Sequence, residues 1–65
     1  MKPISGKKLC RLLEQAGWSL QRVRGSHHIF SKEGERKIIV VPVHGNKKVG
    51  AGLATRIAKD ANLNW

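Results

Sequence analysis

Residues 18–43 read WSLQRVRGSHHIFSKEGERKIIVVPV, and this stretch contains three runs of strand-forming residues separated by two glycine-containing turns. The runs span residues 18–24, 27–32 and 36–43. Gly25 and Gly34 can adopt the positive φ that tight turns need. Pro42 cannot donate to a ladder, so it marks the end or an edge of the third strand. The stretch therefore predicts a three-stranded antiparallel meander.

An amphipathic helix is predicted before this meander, over residues 6–16. Its apolar residues follow the spacing i, i+3, i+4, i+7, and they are Leu9, Leu12, Leu13 and Ala16. Ser5 is a suitable N-cap, and Gly17 stands where a helix commonly stops.

A second helix is predicted after the basic loop HGNKKVGAG, and it ends near Asn62. Its apolar stripe consists of Leu53, Ile57 and Ala61, flanked by Ala54 and Ala58. Beyond it, Leu63 and Trp65 are expected to pack back on the core.

The predicted fold is a single α+β domain over residues 1–65 with the order α-β-β-β-α. Both helices are expected to pack on one face of the sheet, leaving the other face open for a surface site. A chain of 65 residues buries only about 60% of the surface that its unfolded form exposes. A shallow site therefore fits this chain better than a deep substrate pocket.

The charge of the chain is strongly positive, with thirteen Lys and Arg, four Asp and Glu, and a formal net charge of +9. Such a surface attracts polyanions, and nucleic acid is the first of these to consider. The alternative is a basic surface that only keeps a small protein in solution.

No apolar run is long enough to span a membrane, so no membrane role is expected. Lys7, Lys8 and Arg11 interrupt the N-terminal segment, which is unlike a signal peptide. Cys10 is the sole cysteine, so no internal disulfide can form. These features predict a cytoplasmic protein, with Cys10 as a half-buried helix residue rather than a nucleophile.

Four segments, read in order, resemble the HicA family of bacterial toxins, which are small mRNA interferases of toxin–antitoxin pairs. The segments are LLEQAGW (12–18), GSHHIF (25–30), VPVHG (41–45) and RIAKDANL (56–63). Their order and spacing together carry the resemblance, which covers nearly the whole chain.

The resemblance implies a fold like that of double-stranded-RNA-binding domains, with mRNA-cleaving activity added. It also implies a HicB-type antitoxin partner that covers the active site, and a catalytic role for His27 in the segment Gly25-Ser26-His27. The chain departs from the family at Leu53, which follows Gly52 where members often have threonine. A hydroxyl contact with phosphate is therefore not implied at that position.

The chemistry of RNA cleavage fits a histidine, because RNA carries its own nucleophile in the 2′-hydroxyl group. The reference pKa of histidine, about 6.5, suits a general acid or base, and no metal or cofactor is required. His27 is the candidate for either proton-transfer role. The alternative is a hydrogen-bonded histidine at a strand end.

Neighbouring residues have weaker assignments. His28 points to the face opposite His27 and is either structural or an RNA contact. His44 follows the third strand and is predicted to approach His27, to bind phosphate, or to have no role. Gly25 allows close approach of an RNA backbone or simply forms the turn, and Ser26 hydrogen-bonds a phosphate or shapes that turn.

Six basic residues are candidate phosphate ligands: Arg22, Arg24, Lys32, Lys37, Lys47 and Lys48. The last two precede the second helix, whose N-terminus also favours an anion. Any single lysine among the six can instead be merely solvated. The three histidines and Cys10 match no standard Cys/His template, so no metal site is predicted.

Three functions follow from these observations. The first is an endoribonuclease toxin that uses His27. The alternative is a non-catalytic module that binds double-stranded RNA, which has no need of His27. The third is a small interaction domain whose basic surface serves only a protein partner.

Overall fold

The computed structural model describes residues 2–63, and its elements follow the predicted order with two short strands added. They are β1 (Ile4–Ser5), α1 (Gly6–Gln15), β2 (Ser19–Arg24), β3 (His27–Ser31), β4 (Ile39–Pro42), β5 (Lys48–Val49) and α2 (Ala51–Asp60). The strands β2, β3 and β4 form an antiparallel sheet in that order. The predicted α+β fold, with its α-β-β-β-α arrangement, is confirmed.

The two added strands pair with each other, antiparallel, through Ile4↔Val49 and Ser5↔Lys48. Lys48 and Val49 lie in a predicted loop, because two residues are too few to show a strand period. Their pairing places the first residues of α1 and α2 at the same end of the molecule, since each helix begins directly after one of these strands.

The third predicted strand was too long, since β4 covers only Ile39–Pro42 of the predicted residues 36–43. The hairpin between β2 and β3 is as predicted: Arg24 pairs with His27, and Gly25 has a φ of 59° between them. Positive φ at the first central residue is typical of a two-residue hairpin turn.

The core forms between the two helices and one face of the sheet. From the sheet it receives Phe30, Ile39 and Val41, which are almost fully buried. Leu9 and Leu13 of α1 cover them, together with a stripe made of Ala54, Ile57 and Ala58 on α2 and Ala61 at its C-cap. The predicted position of both helices on a single face is therefore confirmed.

Leu53 was wrongly placed in the buried stripe of α2, because 43% of its surface is exposed. The apolar stripe begins one residue later, at Ala54. The indole Nε1 of Trp18 donates to the carbonyl oxygen of Ala61 at 3.3 Å, which ties β2 to the end of α2. The predicted packing of Trp65 lies outside the described residues.

The ends of α1 agree with the sequence analysis. Ser5 Oγ accepts a hydrogen bond from the Lys8 backbone N–H at 3.1 Å, which is the geometry of an N-cap. Gly17 has a φ of 96° after the last turn, and Trp18 N–H donates to the Leu13 carbonyl at 2.9 Å. This glycine therefore terminates the helix through a left-handed residue.

Candidate nucleic-acid interface

The strand register separates the two adjacent histidines. Phe30 is buried beneath the helices, and His28 shares its side of β3 because side chains alternate along a strand. His27 consequently faces the open side of the sheet, where it is exposed. A single surface site on the open face can therefore include His27 but not His28.

The imidazole of His28 lies in a partly buried position, with Nδ1 enclosed and without a hydrogen-bond partner among residues 2–63. This placement favours the structural interpretation of His28 over an RNA contact. A buried polar atom without a partner costs free energy, so this nitrogen itself does not stabilise the fold.

His27 lies in one cross-strand row with Arg24 on β2 and Pro42 on β4. Directly opposed residues have Cβ atoms about 4.5–5.5 Å apart, which brings the Arg24 guanidinium within reach of anything bound to His27. Arg22, opposite Ile29, occupies the next row of the same open face. The structure thus brings together His27 and the two predicted arginines.

The turn beside His27 is open to solvent. A Cβ added at Gly25 would meet no atom within 4 Å, so the surface allows a close approach there. The positive φ already explains why this residue is glycine. Ser26 is partly buried, and its carbonyl accepts from Val43 N–H at 2.7 Å, which continues the β3–β4 ladder.

A shallow basic pocket lies on the other side of Pro42. It has a volume of about 180 Å³ and is lined by Pro42, His44, Lys47, Lys48, Val49, Gly50 and Leu53. Two of the lining residues belong to one turn, which is closed by Lys47 N–H donating to the His44 carbonyl at 2.9 Å. We call this feature the basic pocket.

The start of α2 also borders the basic pocket. The N-cap residue Gly50 offers no side chain to the first backbone N–H groups of that helix. Unsatisfied N–H groups and the helix dipole both favour an anion at such a position. Pro42, predicted to mark a strand end or an edge, is the last residue of the edge strand β4 and lies between His27 and this pocket.

Charge is segregated along the sheet. Both helices begin near Pro42, because Gly6 packs against it and Gly50 lines the pocket beside it. The four acidic residues all lie elsewhere: Glu14 in the last turn of α1, Glu33 and Glu35 in the β3–β4 loop, and Asp60 at the end of α2. The end of the sheet that carries His27 is therefore basic, whereas at the other end the acidic side chains lie among the basic residues Lys32, Arg36, Lys37 and Lys59.

Two of the predicted phosphate ligands lie at that other end. Lys32 is five residues from His27 along β3, roughly 16 Å. Its Nζ donates to the carbonyl of Ala16 at 2.9 Å. Lys37 Nζ lies 3.7 Å from an oxygen of Asp60. These contacts favour a structural role for Lys32 and Lys37, and their contact with RNA stays a prediction.

Cys10 lies half-buried in α1, as expected. Burial, with a smaller contribution from the negative charge of Glu14, raises the pKa of its thiol from 9.0 to about 11. The reactive thiolate at pH 8 should then be about a hundredfold scarcer than for a thiol of ordinary pKa. We expect correspondingly slow alkylation by iodoacetamide at pH 8, with the unfolded protein in denaturant as the control. Equal rates in the two states would show that the folded environment does not protect the thiol.

Within residues 2–63, no three side chains of His, Cys, Asp or Glu come together in a way that could hold a metal ion. Neither α1 nor α2, the two helices of the described part of the chain, is long and apolar enough for a membrane crossing.

Comparison with known proteins identifies the family of this chain. The family model described as the HicA toxin of bacterial toxin–antitoxin systems matches residues 6–63, from the first residue of α1 to the residues after α2. A comparison with curated proteins finds no match. The family match spans nearly the whole chain and includes His27 and the basic pocket, and the chain therefore belongs to the HicA family of bacterial toxins.

Proposed function

We propose that this toxin is an endoribonuclease that cleaves mRNA, with His27 as its catalytic residue. The observation that carries the proposal is the exposed position of His27 on the open face, opposite Arg24 and beside the basic pocket. RNA laid across this end of the sheet meets a proton-transfer group flanked by positive charge on both sides.

The proposed reaction uses the 2′-hydroxyl of the RNA as the nucleophile on the adjacent phosphorus. The attack forms a bond from O2′ to phosphorus and breaks the bond from phosphorus to O5′, which leaves a 2′,3′-cyclic phosphate. His27 either accepts the 2′-hydroxyl proton or donates a proton to the departing O5′. The guanidinium of Arg24 stabilises the extra negative charge of the phosphorane, and no step requires a metal.

Binding of the RNA is assigned to the basic surface around His27. Arg22 and Arg24 contact phosphates on one side of it. On the other side the basic pocket, with His44, Lys47 and Lys48, takes a further phosphate, supported by the start of α2. Gly25 and Ser26 let the backbone approach closely between these two sides.

The whole chain, residues 1–65, is proposed to act as one toxin domain in the cytoplasm, where mRNA is available. The partner implied by its family is an antitoxin, and we assign it to the HicB type. An antitoxin that covers His27 and the basic pocket would exclude RNA.

Cleavage of a purified single-stranded RNA in the presence of EDTA tests this proposal. We expect cutting by the unmodified protein and products that end in 2′,3′-cyclic phosphate. RNA that is bound but never cut would favour the second candidate, a module that binds double-stranded RNA. The α-β-β-β-α order and the basic loop before the last helix support that alternative.

The double substitution Lys47→Glu with Lys48→Glu should weaken RNA binding and reduce its dependence on salt. Each lost phosphate contact removes about 0.7 from the slope of log K against log salt for a single strand, so a total loss of about 1.4 is expected. Filter binding at several salt concentrations measures the slope.

The matched control for this double variant is Arg36→Glu with Lys59→Glu, which changes the charge equally at the other end of the sheet. The control should weaken binding only slightly and leave the slope nearly unchanged. Equal effects of the two double variants would mean that net charge alone drives binding, and the basic pocket would lose its role.

A further inference from the structure

β4 is an edge strand whose outer side is only partly covered. Val43 N–H donates to the Ser26 carbonyl across the β3–β4 ladder. Backbone groups alternate in direction along a strand, so Val41 and Ile39 also bond to β3, whereas Val40 directs its N–H and C=O outward. Pro42 is the other outward-directed residue of β4, which explains why its missing N–H does not disturb the ladder.

The start of α1 covers only one end of this edge. Gly6 lies against the Pro42 carbonyl. Farther along, Ile38 and Val40 are 61% and 38% exposed. Outside the helices and ladders, no backbone hydrogen bond within residues 2–63 involves either of them. The exposed part of the edge therefore offers both unpaired backbone groups and apolar side chains.

A groove runs between this exposed edge and α2. It has a volume of about 240 Å³ and is lined by Ile38, Ile39, Val40, Leu53, Arg56, Ile57 and Asp60. Most of these side chains are apolar, and Leu53 is a large exposed one. We call this feature the β4 groove. An exposed strand edge beside an apolar groove has the two elements of recognition by strand addition, which are backbone pairing and pockets for alternate side chains.

The charge around the β4 groove selects its occupant. Arg56 lines it, and Arg36, Lys37 and Lys59 lie in the adjoining segments. These positive charges outnumber the negative charges of Glu35 and Asp60 in the same region. The carboxylate of Asp60 already pairs with Lys37. A second copy of the chain would bring another +9 charge to this basic surface and be repelled. A partner segment with acidic residues is attracted instead.

We infer that the β4 groove is the docking surface for the antitoxin, which adds an extended acidic segment to the sheet as a fourth strand beside β4. The inference rests on the antitoxin partner of the proposed function. Leu53 lines both the β4 groove and the basic pocket. A strand held in the groove therefore places the rest of the antitoxin over the RNA site, which couples docking to inhibition.

Amide hydrogen exchange of the ¹⁵N-labelled His27→Ala toxin, with and without a purified HicB-type antitoxin, tests the surface directly. The outward-directed amide of Val40 should be protected about tenfold or more in the complex, as in a newly paired strand. The outward-directed amide of Val23, on the opposite edge strand β2, should not change. Binding without protection at Val40 would overturn the inference.

Two pairs of variants give an independent measurement by titration calorimetry. Val40→Pro removes the outward N–H and should lower antitoxin affinity about tenfold, whereas Val23→Pro makes the same change on the other edge and should have little effect. Arg56→Glu should weaken binding and its salt dependence more than Arg11→Glu on α1. Equal losses within both pairs would overturn the docking surface.

Cleavage of RNA by the Val40→Pro and Val23→Pro toxins, with His27 retained, separates this inference from the proposed function. If both variants cut RNA, and the antitoxin inhibits Val23→Pro more strongly than Val40→Pro, the result supports both the proposed nuclease and the docking surface. If RNA is cut and the antitoxin inhibits both variants equally, the docking surface alone is wrong. If neither variant nor the unmodified protein cuts RNA, while the Val40 amide is protected from exchange in the complex, only the proposed nuclease activity is wrong.

Discussion

Replacing His27 with alanine is expected to lower the rate of RNA cleavage by a factor of about 10²–10⁴, which is the usual contribution of a general acid or base. The fold should not change, because the His27 side chain is exposed on the open face and takes no part in the core. RNA affinity should fall only slightly, since Arg22, Arg24 and the basic pocket remain.

The sharpest control for this variant is the adjacent residue. His28→Leu changes a histidine on the opposite face, where Nδ1 has no partner among the described residues, so cleavage should continue at nearly the original rate. Single-turnover cleavage of a labelled RNA, with circular dichroism of both variants, makes the comparison. A His27→Ala protein that is folded and cuts at an undiminished rate would remove His27 from the mechanism. Loss of cleavage in His28→Leu alone would contradict the assignment of His27, because the catalytic group would then lie on the face that the helices cover.

Much of the fold is predictable because its signals are local. A stripe of leucines with Ser5 before it and Gly17 after it determines α1. The β2–β3 turn follows from the conformational freedom of Gly25. The pairing of β1 with β5 is different, since it joins two-residue segments from distant parts of the chain. Such a pair has no period of its own, and only the folded core brings it together.

The candidate site was predictable in its residue types but not in its geometry. Alternation along β3 shows that His27 and His28 diverge, but it does not say which of them faces the helices. That depends on Phe30, whose burial is decided by packing against both helices. Likewise, the sequence does not distinguish Lys47 at the basic pocket from Lys32, which bonds to Ala16.

Gly6 is the glycine at which an added methyl group should destabilise the fold most, although its sequence context predicts only the start of a helix. A Cβ at this position would overlap the Pro42 carbonyl oxygen and lie 3.1 Å from Val43 Cα. Both of those are backbone atoms, so the strand itself must move. Gly6→Ala is expected to lower the free energy of unfolding by about 1–3 kcal/mol, despite the better helix propensity of alanine.

Thermal unfolding followed by circular dichroism measures this effect, and each kcal/mol should lower Tm by about 4–8 °C in a domain of this size. Gly52→Ala is the matched control, because a Cβ there meets no atom within 4 Å inside α2. That control should raise stability by about 0.4–1 kcal/mol. Cleavage by folded Gly6→Ala should also fall, since Pro42 lies between His27 and the basic pocket and its displacement separates them. A variant as stable and active as the parent would mean that α1 does not hold this end of β4 in place.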